Sequence, residues 1–372
     1  MQKKTATLLI ILLIFTFSTG LLIGHYKILS LKLLKSTIYD GKFSYEDNFL
    51  PFQISDNEIK SLVRMDDEVD IIQKRNSIIE LLWSEKGFPH LLSSTVNNNI
   101  TDSRYNDLEN IRKIDEIIIT MDNDINSISY FFHPKNSNNK LLIYHEGHAG
   151  DFFNGKNTIQ FFLNRGYSVL AFSMPLMGMN NQPVIDLTNF EKVKFSSHNQ
   201  FVLLDSDDFS AIKYFVEPIA LSLNYVDENY DFDSYYMVGI SGGGWTTTLY
   251  AAIDQRISQS YSVAGSYPLY LRYEQKDIGD YEQLNPKLYG IANYLELYVM
   301  ASYGDQRKYV QIFNKYDPCC FSGELYKTYE NTIKQKLELL QKGTFQVYLD
   351  DTHKEHKISN YALDIIASNL EN

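Results

Sequence analysis

A chain of 372 residues, 44% hydrophobic and 14% aromatic, can fill a large core and is too apolar to remain disordered. Its net charge of −12 argues against a nucleic-acid partner, which needs a basic face, and weakly against a polyanionic substrate. Its two cysteines are adjacent, Cys319 and Cys320, which rules out a disulfide framework and a Cys-based zinc site of usual spacing; two small buried thiols are expected.

The chain opens on Lys3 and Lys4, followed by a run from Ala6 to Gly24 without a charge. About 19 residues at ~1.5 Å each span roughly the ~30 Å hydrocarbon core of a bilayer. Two fates fit. A signal anchor would hold the body at a membrane on the extracytoplasmic side. A signal peptide would release it, although Ser18-Thr19-Gly20 is a mediocre cleavage site. The anchor is preferred, which sets residues 1–35 apart as a targeting segment.

Residues 36–110 read as an extension with helical periodicity from Glu68 to Glu85 and a polar loop from Asn97 to Asn110. Asn99-Ile100-Thr101 is a glycosylation sequon, relevant only in a eukaryotic source. From Ile111 the pattern changes to strands separated by helices. The expected strands are 114–121, 127–132, 140–144, 167–173, 235–240, 258–263, 308–314 and 344–349. The expected helices are 158–164, 205–223, 242–253, 324–340 and 358–370. This alternation predicts a single α/β domain over 111–372, a mainly parallel twisted sheet with helices on both faces. The segments 175–204 and 268–307 interrupt it at strand carboxyl ends, where ligands bind in such sheets, and are candidates for a cap.

Gly239-Ile240-Ser241-Gly242-Gly243 follows an apolar strand and precedes a helix. In that context G-x-S-x-G makes a nucleophile elbow: a tight turn exposes the Ser oxygen, and small neighbours avoid clashes. The missing lysine argues against a phosphate-binding Walker loop. On these residues the chain from about Ile114 to its C-terminus resembles the α/β-hydrolase superfamily of serine esterases and lipases. The resemblance implies a triad in the order Ser, acid, His, with an acyl-enzyme intermediate and neither metal nor organic cofactor.

It places the acid after a late strand, where Asp317 stands; Asp305, Asp350 and Asp351 are weaker substitutes. It places the base after the last strand, where His356 is preferred over His353 because it is nearer the closing helix. The oxyanion hole is expected from the backbone N–H groups of Gly242 and of His148. The latter lies in the loop His145-Glu146-Gly147-His148, which departs from the usual His-Gly turn by inserting Glu146. His145, Glu146 and His148 alone also suggest a metal site, but no further ligand accompanies them in sequence. Trp245 is expected to pack into the core. The implied activity is carboxylic-ester hydrolysis on a small-molecule or acylated substrate. A serine peptidase or acyltransferase on the same fold, or a catalytically silent binding protein, is the alternative.

Overall fold

The computed structural model describes residues 54–90, 94–188, 190–272 and 278–371. The apolar run 6–24 lies outside the described residues, among which no helix is long and apolar enough to cross a membrane.

Local sequence explains the first elements. Helix α1 (Asp56–Ser61) starts on a capping box in which Ser55 accepts from the Glu58 amide and the Glu58 carboxylate accepts from the Ser55 amide. Helix α2 (Glu68–Trp83) is capped by Asp67 and buries Ile71, Ile78 and Leu82 on one face. Arg75 Nε on that face donates to the Ala252 carbonyl at 2.9 Å, and Trp83 Nε1 to Glu217 at 2.8 Å. Strand β1 (Ser94–Asn97) then pairs antiparallel with β2 (Ile111–Thr120). The described part of the expected extension thus shares the sheet and the core of the α/β unit.

Strand β2 turns through Asp122–Asp124 into β3 (Asn126–Pro134), as the polar triplet predicts. The alternation then begins with β4 (Lys140–His145), α3 (Lys156–Leu163) and β5 (Ser168–Phe172). The first interrupting segment carries a hairpin of β6 (Val184–Leu187) and β7 (Glu191–Lys194), then a 3₁₀ turn at His198–Leu203. Next come α4 (Lys213–Asn229), β8 (Ser234–Ile240), α5 (Gly242–Ile253) and β9 (Ile257–Val263). The second interrupting segment carries α6 (Tyr281–Leu284), α7 (Pro286–Ile291) and α8 (Tyr294–Ser302). The chain closes with β10 (Lys308–Asn314), α9 (Glu330–Leu340), β11 (Thr344–Asp350) and α10 (Asn360–Glu371).

The main sheet runs β1-β2-β3-β5-β4-β8-β9-β10-β11, parallel from β5 to β11 and antiparallel at the β1 end. Successive residues of its strands point to opposite faces, and both faces are buried. In β4, Leu141 and Ile143 join the core that includes α2, α4 and α5 residues, whereas Leu142 and Tyr144 join the core that includes α3 and α10 residues. This is why β4, β5 and β8 read as continuous apolar runs.

Two helix starts and the cysteine pair differ from expectation. The helix expected at 205–223 begins at Lys213, because Asp205 accepts from the Ala211 amide at 2.9 Å and from Tyr281 Oη at 2.6 Å, holding 205–211 in a turn. The helix expected at 324–340 breaks at Tyr329 into a 3₁₀ turn and α9. Cys319 and Cys320 are not buried thiols: in the turn after Pro318, Cys319 is exposed and Cys320 half-buried, with their sulfurs bonded to each other.

Candidate active site

Strand β8 delivers Ser241 into a backbone conformation of φ 56° and ψ −125°, the left-handed side of the map that a side chain adopts only under constraint. The constraint comes from both sides: the Ser241 amide donates to the Val263 carbonyl at 2.9 Å, and its carbonyl accepts from the Trp245 amide at 3.0 Å. Helix α5 then starts on three glycines. A Cβ on Gly243 would sit 2.2 Å from the His145 carbonyl oxygen, so only glycine lets the helix start against the β4 loop.

Asp317 and His356 meet at the carboxyl ends of β10 and β11. His356 Nδ1 lies 2.7 Å from Asp317 Oδ2. The remaining bonds of Asp317 hold it in place: Oδ1 accepts from the Cys319 amide at 2.8 Å, and Oδ2 from Asn314 Nδ2 at 3.2 Å. Asn314 Nδ2 also donates to the Lys357 carbonyl at 3.0 Å, so this one amide ties the acid to the loop carrying the histidine. Strand β10 ends at Asn314, so Asp317 lies in the turn beyond the strand.

A cavity of about 240 Å³ is lined by Ser241 and His356, and on its other wall by Tyr144, Glu146, Gly147 and Thr158. The β4 loop closes against the elbow there. A Cβ on Gly147 would stand 2.7 Å from both the Ile240 carbonyl oxygen and Ser241 Cβ. The Glu146 carboxyl is buried in this wall, where Tyr144 Oη donates to Oε2 at 2.6 Å and the Gly147 amide donates to Oε1 at 2.9 Å. Burial pushes its pKa up, outweighing these donors. The inserted Glu146 therefore braces the turn from within.

No protein-family model and no curated protein sequence matches the chain. Solved structures do. Acetyl xylan esterase 1 from Thermoanaerobacterium sp. superposes with a TM-score of 0.58 at 14% identity, over 86% of this chain and 99% of that one. An acetyl xylan esterase from Paenibacillus sp. R4 gives 0.53 at 14% identity over the same shares, and methylesterase BT1017 gives 0.56 at 11% over 85% and 68%. The chain has the α/β-hydrolase fold.

Within an α/β-hydrolase fold the remaining sequence candidates take other places. His353 Nε2 lies 3.2 Å from Asp350 Oδ2, its Nδ1 accepts from the Glu355 amide at 3.1 Å, and it does not line the cavity. Asp350 is further engaged by Thr352 and Ser359. Asp305 and Asp351 are exposed. Trp245 is buried against Phe215, with Nε1 donating to Tyr289 Oη at 2.7 Å.

His145, Glu146 and His148 do not converge on a common point. His145 Nδ1 contacts the Glu146 carbonyl at 2.8 Å, and burial lowers its pKa to about 4, so it is neutral. His148 turns the other way. Its ring lies over Gly242, with Cε1 2.5 Å from where a Cβ would stand, and its Nε2 faces His198, Asp280 and Glu282. Sequence reasoning missed this cluster and the tie through Asn314. The local signals were Asn314 at a strand end and His148 in the His145–His148 loop, whose partners lie far along the chain.

Proposed function

We propose that the chain is a serine hydrolase of carboxylic esters, with Ser241, Asp317 and His356 as its triad. The observation that carries this reading is the 2.7 Å Asp317–His356 pair on a ring that lines the same cavity as a strained Ser241. An ionised Asp317 accepts the Nδ1 proton, which leaves Nε2 as the base nitrogen of His356. In this reading His356 takes the Ser241 proton as Oγ attacks the ester carbonyl. It then protonates the leaving alcohol and activates water against the acyl-enzyme. Asp317 orients the imidazole and stabilises its charged form. The backbone N–H groups of Gly242 and His148 receive the oxyanion, an interaction worth about 3 kcal/mol per donor in related chemistry.

The small cavity and the fold shared with two acetyl xylan esterases and a methylesterase support a short acyl group as the portion bound beside Ser241. The uncharged run 6–24 supports attachment to a membrane, with the body on the extracytoplasmic side. A fluorophosphonate probe tests the nucleophile, because only an activated serine labels. A series of p-nitrophenyl esters of increasing acyl length tests the substrate class, with acetate or propionate expected to give the highest kcat/KM. Absence of labelling in the folded protein would remove the reading.

A further inference from the structure

Four side chains from three separate segments converge beside the elbow. His148 comes from the β4 loop, His198 from the first interrupting segment, and Asp280 and Glu282 from the second. His148 Nε2 is 3.0 Å from His198 Nδ1, 3.1 Å from Glu282 Oε1 and 3.2 Å from Asp280 Oδ2. His198 Nδ1 is 3.4 Å from Glu282 Oε2, and the four donor atoms all lie within 4.8 Å of one another.

The proton count makes this arrangement unusual. His198 Nε2 lies 2.8 Å from the Pro175 carbonyl, an acceptor only, so that nitrogen carries a proton. In the neutral ring, His198 Nδ1 then presents a lone pair to the cluster. The Glu282 side chain is fully buried, and among the described residues neither of its oxygens has a hydrogen-bond donor of adequate geometry. Asp280 adds a second carboxylate. Lone pairs thus converge from three residues onto His148 Nε2, which can offer at most one proton. Leaving a buried carboxylate so poorly satisfied is costly unless a cation balances it.

We propose that His148, His198, Asp280 and Glu282 bind one divalent transition-metal ion, zinc by ligand type. Two imidazoles and two carboxylates form an N₂O₂ set suited to it. Ligands held ~2.0–2.1 Å from a tetrahedral ion stand roughly 3.3–3.4 Å apart; four of the contacts here span 3.0–3.4 Å, the two histidines reaching different Glu282 oxygens, and every pair of donor atoms lies within 4.8 Å. The His198 Nε2 bond to a backbone carbonyl is the outer contact that fixes tautomer and ring orientation in metal-bound histidines. The ion would tie both interrupting segments to the loop that packs on Gly242 and carries the His148 amide, so it bears on the proposed Ser241 chemistry only through that loop. The assignment does not depend on that chemistry.

The test uses the full chain, stripped with a chelator and titrated with zinc, with bound metal counted by mass spectrometry and affinity measured by calorimetry. Wild type and Ser241→Ala are expected to bind about one zinc per chain and to melt at higher temperature with it. Glu282→Gln, close to isosteric, and His198→Ala are expected to lose at least about 100-fold in affinity, with folding checked by circular dichroism. Should His198→Ala fail to fold, Glu282→Gln alone decides. Failure of wild type to bind zinc stoichiometrically, or binding unchanged in folded Glu282→Gln, overturns the site. The first result would leave two protonated imidazoles as what balances Asp280 and Glu282.

Discussion

Asp317 Oδ2 and His356 Nδ1 stand 2.7 Å apart although 39 residues separate them in the chain. Strands β10 and β11 are parallel neighbours with Asn314 opposite Asp350, so the turns beyond them emerge side by side. Asp317 and His356 come from those two turns. Asp317→Asn keeps the shape but favours the wrong imidazole tautomer. It should lower kcat on a p-nitrophenyl ester by about 10³- to 10⁴-fold with KM little changed. A loss below tenfold would remove Asp317 from the triad.

The two histidines after β11 should separate sharply. His356→Ala should lose about three or more orders of magnitude in kcat, because its ring lines the cavity. His353→Ala should lose at most about tenfold, because His353 is turned to Asp350. The reverse ranking in steady-state kinetics would move the base to His353. Equal mild effects would mean that the triad is misassigned.

Ser241→Ala should abolish fluorophosphonate labelling and lower turnover by at least about 10³-fold while the melting temperature stays within a few degrees. Relief of the positive φ is not expected, since alanine also carries a Cβ. Unchanged hydrolysis by the folded variant would refute the assignment.

Gly147→Ala places a methyl group 2.7 Å from the Ile240 carbonyl oxygen and Ser241 Cβ, both on the elbow. The β4 loop or the elbow must shift, and a misplacement of about 1 Å near the reacting atoms costs on the order of 100-fold in kcat/KM. Gly290→Ala, which meets no atom within 4 Å, is the control and should leave the rate unchanged. Equal rates for the two variants would show that the loop yields freely.

Burial holds the Glu146 carboxyl above its ordinary value of 4.5, so the folded chain keeps this proton more tightly than the unfolded chain. The resulting stability is fully present below the unfolded value and is lost as pH rises through the folded one. Glu146→Gln removes the titration. Its melting temperature should therefore gain on wild type as pH rises from 4 to 8 in a thermal-unfolding series. A constant difference across that range would show that Glu146 ionises as freely folded as unfolded.

What the sequence determined by itself was local. A strained serine at a strand-to-helix junction requires small neighbours on both sides, so Gly239 to Gly243 wrote the elbow into five consecutive residues. Strands buried on both faces must be apolar throughout, which made β4, β5 and β8 readable. A turn residue such as Asp205, whose carboxylate reaches a tyrosine 76 residues away, gave no such pattern, and the start of α4 was misplaced accordingly. The tertiary structure decided every relation that depends on which loops meet. It chose His356 over His353 for contact with Asp317 and turned His145 away from His148. It also brought His148 to His198 and Glu282, residues spaced without any recurring motif. The physical reason is one of range. Backbone strain and alternation act over a few residues, whereas the convergence of side chains from separate segments depends on how those segments pack on the sheet.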